Sequence, residues 1–277
     1  MTEALTALTA LTALTALVVA STVSAVVARR SPERLAVLSW DGRRVPAVLG
    51  IGFLAGLLAA AAVPLLTEAS LTPSEIGVIG GISALVMGFA GSIDDLRGGE
   101  ARGFRAHLSS LVRLRVTTGV LKLLVGATLA ILLAASAGGP PERVVGMALL
   151  IAISTNLANA LDVRPGRALK YALPVLAVVW LVSADQSVTW LSAAATGAAV
   201  GILPLDLAQR GMLGDAGSNP LGMLVGVGLA VVLPPWGLFL SVGVVVVLQV
   251  AAETVTISRL IDAVPPLRWF DRLGRRN

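Results

Sequence analysis

Apolar runs of about 20 residues recur along the whole chain, and this repetition limits the fold more than any other feature. A helix of about that length crosses the hydrocarbon core of a bilayer. Only 13% of the residues are charged, whereas soluble domains carry about a quarter. No long block of the sequence has the composition of a soluble domain. We therefore predict an all-α, polytopic integral membrane protein in which residues 1–277 form one domain.

The apolar runs predict about nine to ten transmembrane helices. Nine can be placed, at residues 4–28, 46–66, 75–92, 117–137, 143–161, 169–184, 187–205, 218–234 and 236–258. The first opens with the repeat "ALTALTALTALTAL", which we interpret as a helical anchor because "MTE" lacks the positive charge of a signal peptide. The run at 169–184 is the shortest and contains Pro174, so the number of crossings depends on it.

The basic residues predict the orientation. With the N-terminus outside, the cytoplasmic segments are 29–45, 93–116, 162–168, 206–217 and 259–277. Together with Lys170, which can snorkel from a helix edge, they hold 19 of the 21 Lys and Arg residues. This asymmetry follows the positive-inside rule and places the C-terminus in the cytoplasm. It also accounts for the net charge of +5, so we expect no nucleic-acid partner.

The sequence has no cysteine and a single histidine, His107. Disulfides, thiolate metal sites, cysteine nucleophiles and multi-histidine zinc or haem sites are therefore excluded. The candidates for chemistry are carboxylates, amides and basic side chains at the predicted cytoplasmic helix ends.

An acidic pair, Asp94 and Asp95, follows a stretch that has carried no charge since Glu75. One helix later, Thr118 and Lys122 share a helix face at the i, i+4 spacing. Lys122 lies roughly 8 Å into its helix, where it either snorkels to the surface or takes part in a site.

The fifth predicted helix ends in "STNLANALDVRPGR". Asn156, Asn159 and Asp162 recur every three residues on one broad face, and Arg164 and Arg167 follow. Such amides can simply join helices in a membrane. Ionisable groups in a membrane segment, however, favour a functional interpretation.

The segment "RGMLGDAGSNPLG" follows the seventh predicted helix. Gly214 and Gly217 permit tight turns and close approach of a ligand to the backbone, whose bare N–H groups can bind an anion. Asp215 supplies a hard oxygen ligand, and Ser218 is a candidate N-cap for the next helix.

Two basic segments have a surface interpretation. Residues 102–115 resemble a basic amphipathic stretch, with His107 at the interface. In the C-terminal tail, Arg275 and Arg276 are interpreted as an anchor to anionic lipid, whereas the roles of Arg268 and Arg272 stay open.

The collected side chains suit phosphoryl transfer. Oxygen ligands without Cys or His favour Mg²⁺, which binds through one or two carboxylates and substrate phosphates. A lysine can stabilise the charge that develops on the transferring phosphate. Because the acids lie at the lipid boundary, a lipid phosphate is a candidate substrate.

These motifs resemble those of the polyprenyl-phosphate sugar-1-phosphate transferases. This group includes phospho-N-acetylmuramoyl-pentapeptide transferase and the undecaprenyl-phosphate N-acetylglucosamine-1-phosphate transferases. The similarity runs from "GRRVPAVLG" to "FDRLGR". The family's paired aspartates look like those in "GSIDDLRG", and its lysine one helix later looks like Lys122. Its Asn-x-x-Asn-x-x-Asp stretch resembles Asn156 to Asp162, and its Gly-Asp-x-Gly-Ser turn resembles Gly214 to Ser218.

The resemblance implies a Mg²⁺-dependent enzyme of lipid-linked glycan or cell-wall synthesis. It would transfer a sugar-1-phosphate, such as an N-acetylhexosamine-1-phosphate, from a UDP-sugar to a polyprenyl phosphate and release UMP. The implied catalytic residues are Asp94, Asp95, Lys122 and Asp162, and Asp215 is the implied metal ligand. The implied substrate-binding residues are Asn156, Asn159, Arg164, Arg167, Gly214, Gly217 and Ser218.

By the same resemblance, the enzyme is a multi-pass protein of a bacterial-type plasma membrane with its active site on the cytoplasmic face. Its partners are the bilayer, the lipid phosphate and the UDP-sugar, and a homodimer is one of the oligomeric states left open.

The sequence departs from the family pattern in two places. Pro165 occupies the position of a second aspartate after Asp162, and "DRLGRRN" replaces a histidine-rich motif in the last cytoplasmic segment. A catalytically inactive relative that assists membrane assembly is therefore an alternative. A transporter or flippase is a third, although its acids would lie near the bilayer midplane.

Overall fold

The computed structural model describes residues 3–67, 74–97, 118–254 and 257–275. Its helices are α1 (Glu3–Arg30), α2 (Leu49–Leu66), α3 (Glu75–Arg97), α4 (Thr118–Ala137), α5 (Pro141–Leu161), α6 (Arg167–Val182), α7 (Gln186–Leu207), α8 (Asp215–Val232), α9 (Pro235–Thr254), α10 (Ile257–Ala263) and α11 (Pro265–Arg272). The predicted all-α class is confirmed. The predicted basic stretch 102–115, with His107, and Arg276 lie outside the described residues.

Helices occur at all nine predicted positions, and eight of them are long and apolar enough to cross a membrane. The exception is α6, whose 16 residues extend about 24 Å, less than the ~30 Å of hydrocarbon. The start of α6 lies beside the end of α7: Gly166, just before α6, donates its N–H to Oδ2 of Asp206, in the last turn of α7, at 3.0 Å. Helices α6 and α7 are therefore antiparallel, which favours a ninth crossing. The number of crossings and the orientation of the termini stay predictions.

A small β-hairpin lies between α1 and α2 and was not predicted. Strand β1 (Ala36–Leu38) pairs antiparallel with β2 (Arg44–Pro46), and Gly42, with φ of +82°, lies in the turn. The hairpin explains why α2 begins at Leu49 and not at residue 46.

The hairpin also leads into the chain that precedes α8. Met212 N donates to Pro46 O, and Leu49 N donates to Met212 O, both at 3.0 Å. The start of α2 therefore fixes the position of the glycine-rich segment.

Helix α8 forms the centre of the bundle and is the most deeply buried of the eight candidate spans. It packs against α5, α3, α6 and α2. Gly91 of α3 permits this close packing, because a Cβ there would overlap the backbone of Asp215. Small residues at such crossings let membrane helices approach closely. The first residue of α8 is thereby held against the last turns of α3.

Candidate active site

Four helix ends meet at one end of the bundle, which we call the site end. Helices α3 and α5 finish there, and α4 and α8 begin there. Asp94 and Asp95 occupy the last turn of α3, Lys122 the second turn of α4, and Asp215 the first position of α8. The structure therefore brings together residues that are up to 121 positions apart in the chain.

Lys122 lies between two carboxylates from different helices. Its ammonium group is 3.3 Å from Asp94 Oδ2 and also contacts Asp215 Oδ2. The three side chains are 7%, 13% and 19% exposed, in the order Lys122, Asp94 and Asp215. Thr118 donates to the other oxygen of Asp94, as expected if it shares a face with Lys122. Lys122 therefore does not snorkel, and it compensates two partly buried acids.

Asp95 is directed at the start of α8. Its carboxylate accepts hydrogen bonds from the backbone N–H groups of Asp215 at 3.1 Å and Ala216 at 3.0 Å. The first N–H groups of a helix have no partners within the helix, and the helix dipole favours a negative charge there. Adjacent aspartates thus have different partners: Asp94 binds Lys122, and Asp95 holds the helix that carries Asp215.

Asp162 holds the same helix from the other side. It follows the last residue of α5, is 6% exposed, and accepts a hydrogen bond from Gly214 N at 2.9 Å. Burial, and then the negative charge of nearby Asp206, raise the pKa of Asp162 well above its usual value. Gly214 has a φ of +65°, a conformation that favours glycine. Asp95 and Asp162 together fix the turn that presents Asp215.

Ser218 is buried and links α8 to the polar face of α5. Its Oγ lies 3.2 Å from Asn159 Oδ1 and 2.8 Å from Gly214 O. The prediction that Ser218 is an N-cap is wrong, because α8 begins at Asp215 and its cap is Gly214. Asn156 lies on α5 one turn before Asn159.

Gly217 has a packing role in the structure. A Cβ at this position would overlap Gly50 Cα of α2, so the residue permits close contact between α8 and α2. Of the glycines in this segment, Gly214 is the one in direct contact with a candidate site carboxylate.

The two predicted arginines have different surroundings. The guanidinium of Arg164 lies 4.7 Å from the ring centre of Trp40 in the hairpin and 3.8 Å from Asp262 Oδ2. Arg167 is only 4% exposed and binds both oxygens of Asp271, at 2.8 and 3.1 Å. Arg167 is therefore directed at the C-terminal segment, whereas Arg164 lies beside the hairpin.

The C-terminal segment is fixed to the α5–α6 corner by further basic residues. Lys170 is 8% exposed and donates to the backbone oxygens of Phe270 and Asp271, so it does not snorkel. Arg275 lies 2.7 Å from Asp271 Oδ1 and donates to Pro165 O, which is inconsistent with the predicted lipid anchor at this residue. Burial opposes ionisation of Asp271, but Arg167 and Arg275 outweigh it and keep its pKa below the usual value.

The sequence interpretation missed two buried acids, Asp206 and Asp271. Asp206 lies near the end of α7, is 2% exposed, and accepts a hydrogen bond from Gly166 N. An acid in the last turn of an apolar run, as in "ILPLDLAQ", was the available signal for Asp206. Asp271 gave no comparable signal, because its partners are about 100 residues away in the chain.

The donor set near Lys122 fits a magnesium ion that is shared with a phosphate substrate. Among the described residues, no three His, Cys, Asp or Glu side chains are arranged to hold a metal by themselves. Asp94 and Asp215 nevertheless converge on one cation, the Lys122 ammonium. Mg²⁺ typically takes one or two carboxylates and completes its shell with water and phosphate oxygens.

A known protein family matches the central part of the chain. Residues 78–233, more than half of the chain, match the Glycosyl transferase family 4. The match includes α4 to α8 and nearly all of α3, and it therefore contains Asp94, Asp95, Asp162 and Asp215. A search of curated proteins found no match to the chain.

Proposed function

The chain belongs to glycosyl transferase family 4, the family of polyprenyl-phosphate sugar-1-phosphate transferases, and we propose that it transfers a sugar-1-phosphate from a UDP-sugar to a polyprenyl phosphate. The observation that carries this proposal is the Lys122 ammonium between Asp94 and Asp215, at the ends of three helices of membrane-spanning length. Intramembrane ionisable groups that are paired in this way usually serve a function.

In the proposed reaction, an oxygen of the lipid phosphate forms a bond to the β-phosphorus of the UDP-sugar. The bond from that phosphorus to the bridging oxygen breaks, and UMP leaves with the electron pair. A phosphate monoester with a second pKa near 6 is mostly a dianion at neutral pH, so the nucleophile needs no general base. The protein then has to position two anions and to stabilise their charge.

Lys122 performs the electrostatic part of this task. Its ammonium has three donors, and the structure accounts for two of them, at Asp94 and Asp215. A phosphate oxygen can take the third or replace one carboxylate. Asp94 orients Lys122, and Asp94 and Asp215 would also hold Mg²⁺. When bound, Mg²⁺ neutralises charge on the diphosphate and on the leaving UMP.

Asp95 and Asp162 act mainly as positioning residues in this proposal. Their hydrogen bonds to the backbone of Gly214, Asp215 and Ala216 fix the start of α8. A displacement of about 1 Å in a reacting geometry can cost about 100-fold in rate, so these contacts matter even without touching substrate.

The nucleotide and sugar would lie beside α5 and the hairpin. Asn156 and Asn159 carry amide groups on α5, Asn159 is held by the buried Ser218, and Arg164 is 21% exposed. Arg167 supports this region indirectly through Asp271. By the distribution of Lys and Arg, the site faces the cytoplasm, where UDP-sugars are available. We propose an N-acetylhexosamine-1-phosphate as the transferred group.

The test is release of UMP by the purified protein with undecaprenyl phosphate, Mg²⁺ and a panel of UDP-sugars. We expect release with one donor, loss of release with EDTA, and loss in Asp215→Asn. The matched control is Asp41→Asn, which alters an exposed carboxylate of the hairpin that pairs with Arg43. Folded protein that releases no UMP with any donor would favour the inactive relative, and full activity of Asp215→Asn would refute the proposed metal ligand.

A further inference from the structure

The last helix, α11, is amphipathic, and its apolar side is uncovered. Leu267, Trp269, Phe270 and Leu273 fall within one half of the helical circumference. Their side chains are 48%, 66%, 43% and 49% exposed in that order, whereas Asp271 on the opposite half is 5% exposed. The helix thus contacts the rest of the protein through Asp271 and through the backbone oxygens of Phe270 and Asp271.

The contacts that hold α11 are ionic and deeply buried. Asp271 receives two hydrogen bonds from Arg167, and Lys170 donates to the backbone oxygens of Phe270 at 3.1 Å and Asp271 at 2.7 Å. An amphipathic helix of a soluble protein normally packs its apolar side on the core. Here the orientation is reversed, so the apolar side requires another covering.

The same contacts place α11 at the level where the membrane spans end. Arg167 is the first residue of α6 and follows closely after Leu161, the end of the α5 span. Arg275, just beyond α11, donates to Pro165 O of the same corner at 3.0 Å. Helix α11 is therefore fixed at the site end, next to the boundary of the hydrocarbon core.

We propose that α11 is a membrane-surface helix whose apolar side inserts into the lipid interface at the site end. Trp269 has the amphipathic ring that is typical of membrane interfaces. Arg268 is exposed, and Arg272 is 65% exposed although it lies 3.7 Å from Asp262. Both arginines lie on the polar half of the helix, from which basic side chains of a surface helix contact anionic headgroups. This surface is separate from the transfer reaction and does not depend on it.

Membrane binding of α11 has a consequence for the site. The buried contacts between Asp271 and Arg167 connect the inserted helix to the corner that follows Asp162. Lipid that holds α11 therefore also restrains the corner between α5 and α6.

The absence of cysteine in the native sequence permits a direct test. Single spin labels are attached at Leu267→Cys, on the apolar side, and at its neighbour Arg268→Cys as the matched control. The full-length protein is reconstituted in vesicles of phosphatidylcholine, with or without phosphatidylglycerol. Accessibility to oxygen, which is enriched in lipid, is compared with accessibility to a water-soluble nickel complex. Elution and thermal unfolding in detergent establish that each labelled variant is folded.

We expect an oxygen-to-nickel accessibility ratio several-fold higher at position 267 than at position 268, and a higher ratio at position 267 when phosphatidylglycerol is present. Equal accessibility to the nickel complex at both positions would overturn the proposal. Protection at position 267 that increases with the protein-to-lipid ratio would also overturn it, in favour of a second copy of the chain. An unchanged ratio at position 267 in the two vesicle types would overturn the headgroup contacts, because Leu267→Cys retains both arginines. None of these readouts requires UMP release, so they are distinguishable from failure of the proposed reaction.

Discussion

The neighbouring acids Asp94 and Asp95 should respond differently to the same substitution. In Asp95→Asn, one carboxylate oxygen becomes an NH₂ group, so one of the two hydrogen bonds to the start of α8 is lost. A hydrogen bond to a charged group contributes about 1.5–3 kcal/mol, and the interaction with the helix dipole adds about 0.3–1 kcal/mol. We therefore expect Asp95→Asn to lower the free energy of unfolding by about 2–4 kcal/mol.

Asp94→Asn changes the partner of Lys122 and leaves the start of α8 intact. We expect kcat for UMP release to fall about 100- to 1,000-fold, the range typical for loss of one electrostatic group at a reacting centre. Asp94→Asn should lower the free energy of unfolding less than Asp95→Asn does, because Lys122 keeps Asp215 as a partner. In Asp95→Asn, by contrast, the loss of kcat should be smaller and should accompany a clear loss of stability.

Thermal unfolding in detergent and the UMP assay, run on both variants, separate these expectations. Because the Asp95 carboxylate binds the N–H groups of Asp215 and Ala216, we also expect Asp95→Asn to change the amide resonances or the hydrogen-exchange rates of these two residues. Equal losses of kcat in the two variants, with unchanged unfolding of Asp95→Asn, would refute the positioning role and make Asp95 a participant in the reaction.

Three further perturbations test other contacts. Lys122→Met should lower kcat by about 100- to 1,000-fold in the UMP assay, because a positive charge beside the phosphates is lost. Asp271→Asn should lower the free energy of local unfolding of the C-terminal segment by about 3–5 kcal/mol, because Arg167 loses its buried counter-charge. Faster limited proteolysis of that segment would measure the loss. Gly91→Ala should lower the free energy of unfolding by about 1–3 kcal/mol, because the added Cβ would overlap the backbone of Asp215. Thermal unfolding measures this change, and UMP release should fall as well because Asp215 is displaced.

Each of these variants has a matched control elsewhere in the chain. Arg143→Met removes a basic side chain that donates to Ala230 O in the last turn of α8, far along that helix from Asp215, and should retain activity. Asp41→Asn removes the surface ion pair with Arg43, and such a pair contributes about 0–1 kcal/mol to the free energy of unfolding. Gly243→Ala adds a Cβ that has no neighbour within 4 Å. A control that behaves like its test variant would contradict the reasoning for that contact.

Much of the helical architecture was predictable because membrane spans are determined locally. An apolar run of sufficient length forms a helix in lipid, since no other conformation there satisfies the backbone. Alternating directions of consecutive spans then bring Asp94, Lys122, Asp162 and Asp215 to one end. The four motifs also sufficed to identify the family, which the match over residues 78–233 confirms.

The hairpin and the start of α8 were not predictable in this way. Strands of three residues carry almost no pattern, and β1 and β2 form through pairing with each other. Ser218 looked like a helix cap, but α8 begins at Asp215, because Asp162 binds the N–H of Gly214 and Asp95 binds the N–H of Asp215. These acids come from α3 and from the end of α5, so the boundary depends on helices that are distant in the sequence.

Span length and charge distribution act within each segment, so the residue types that gather at the site end could be read from the sequence. The partner of each charge, by contrast, depends on how the helices pack. Asp94 binds Lys122 whereas Asp95 holds α8, and Arg275 is buried against Asp271 and not exposed to lipid. The physical reason is that the partner of a buried charge is set by the packing of distant helices, because an unpaired charge there would be too costly.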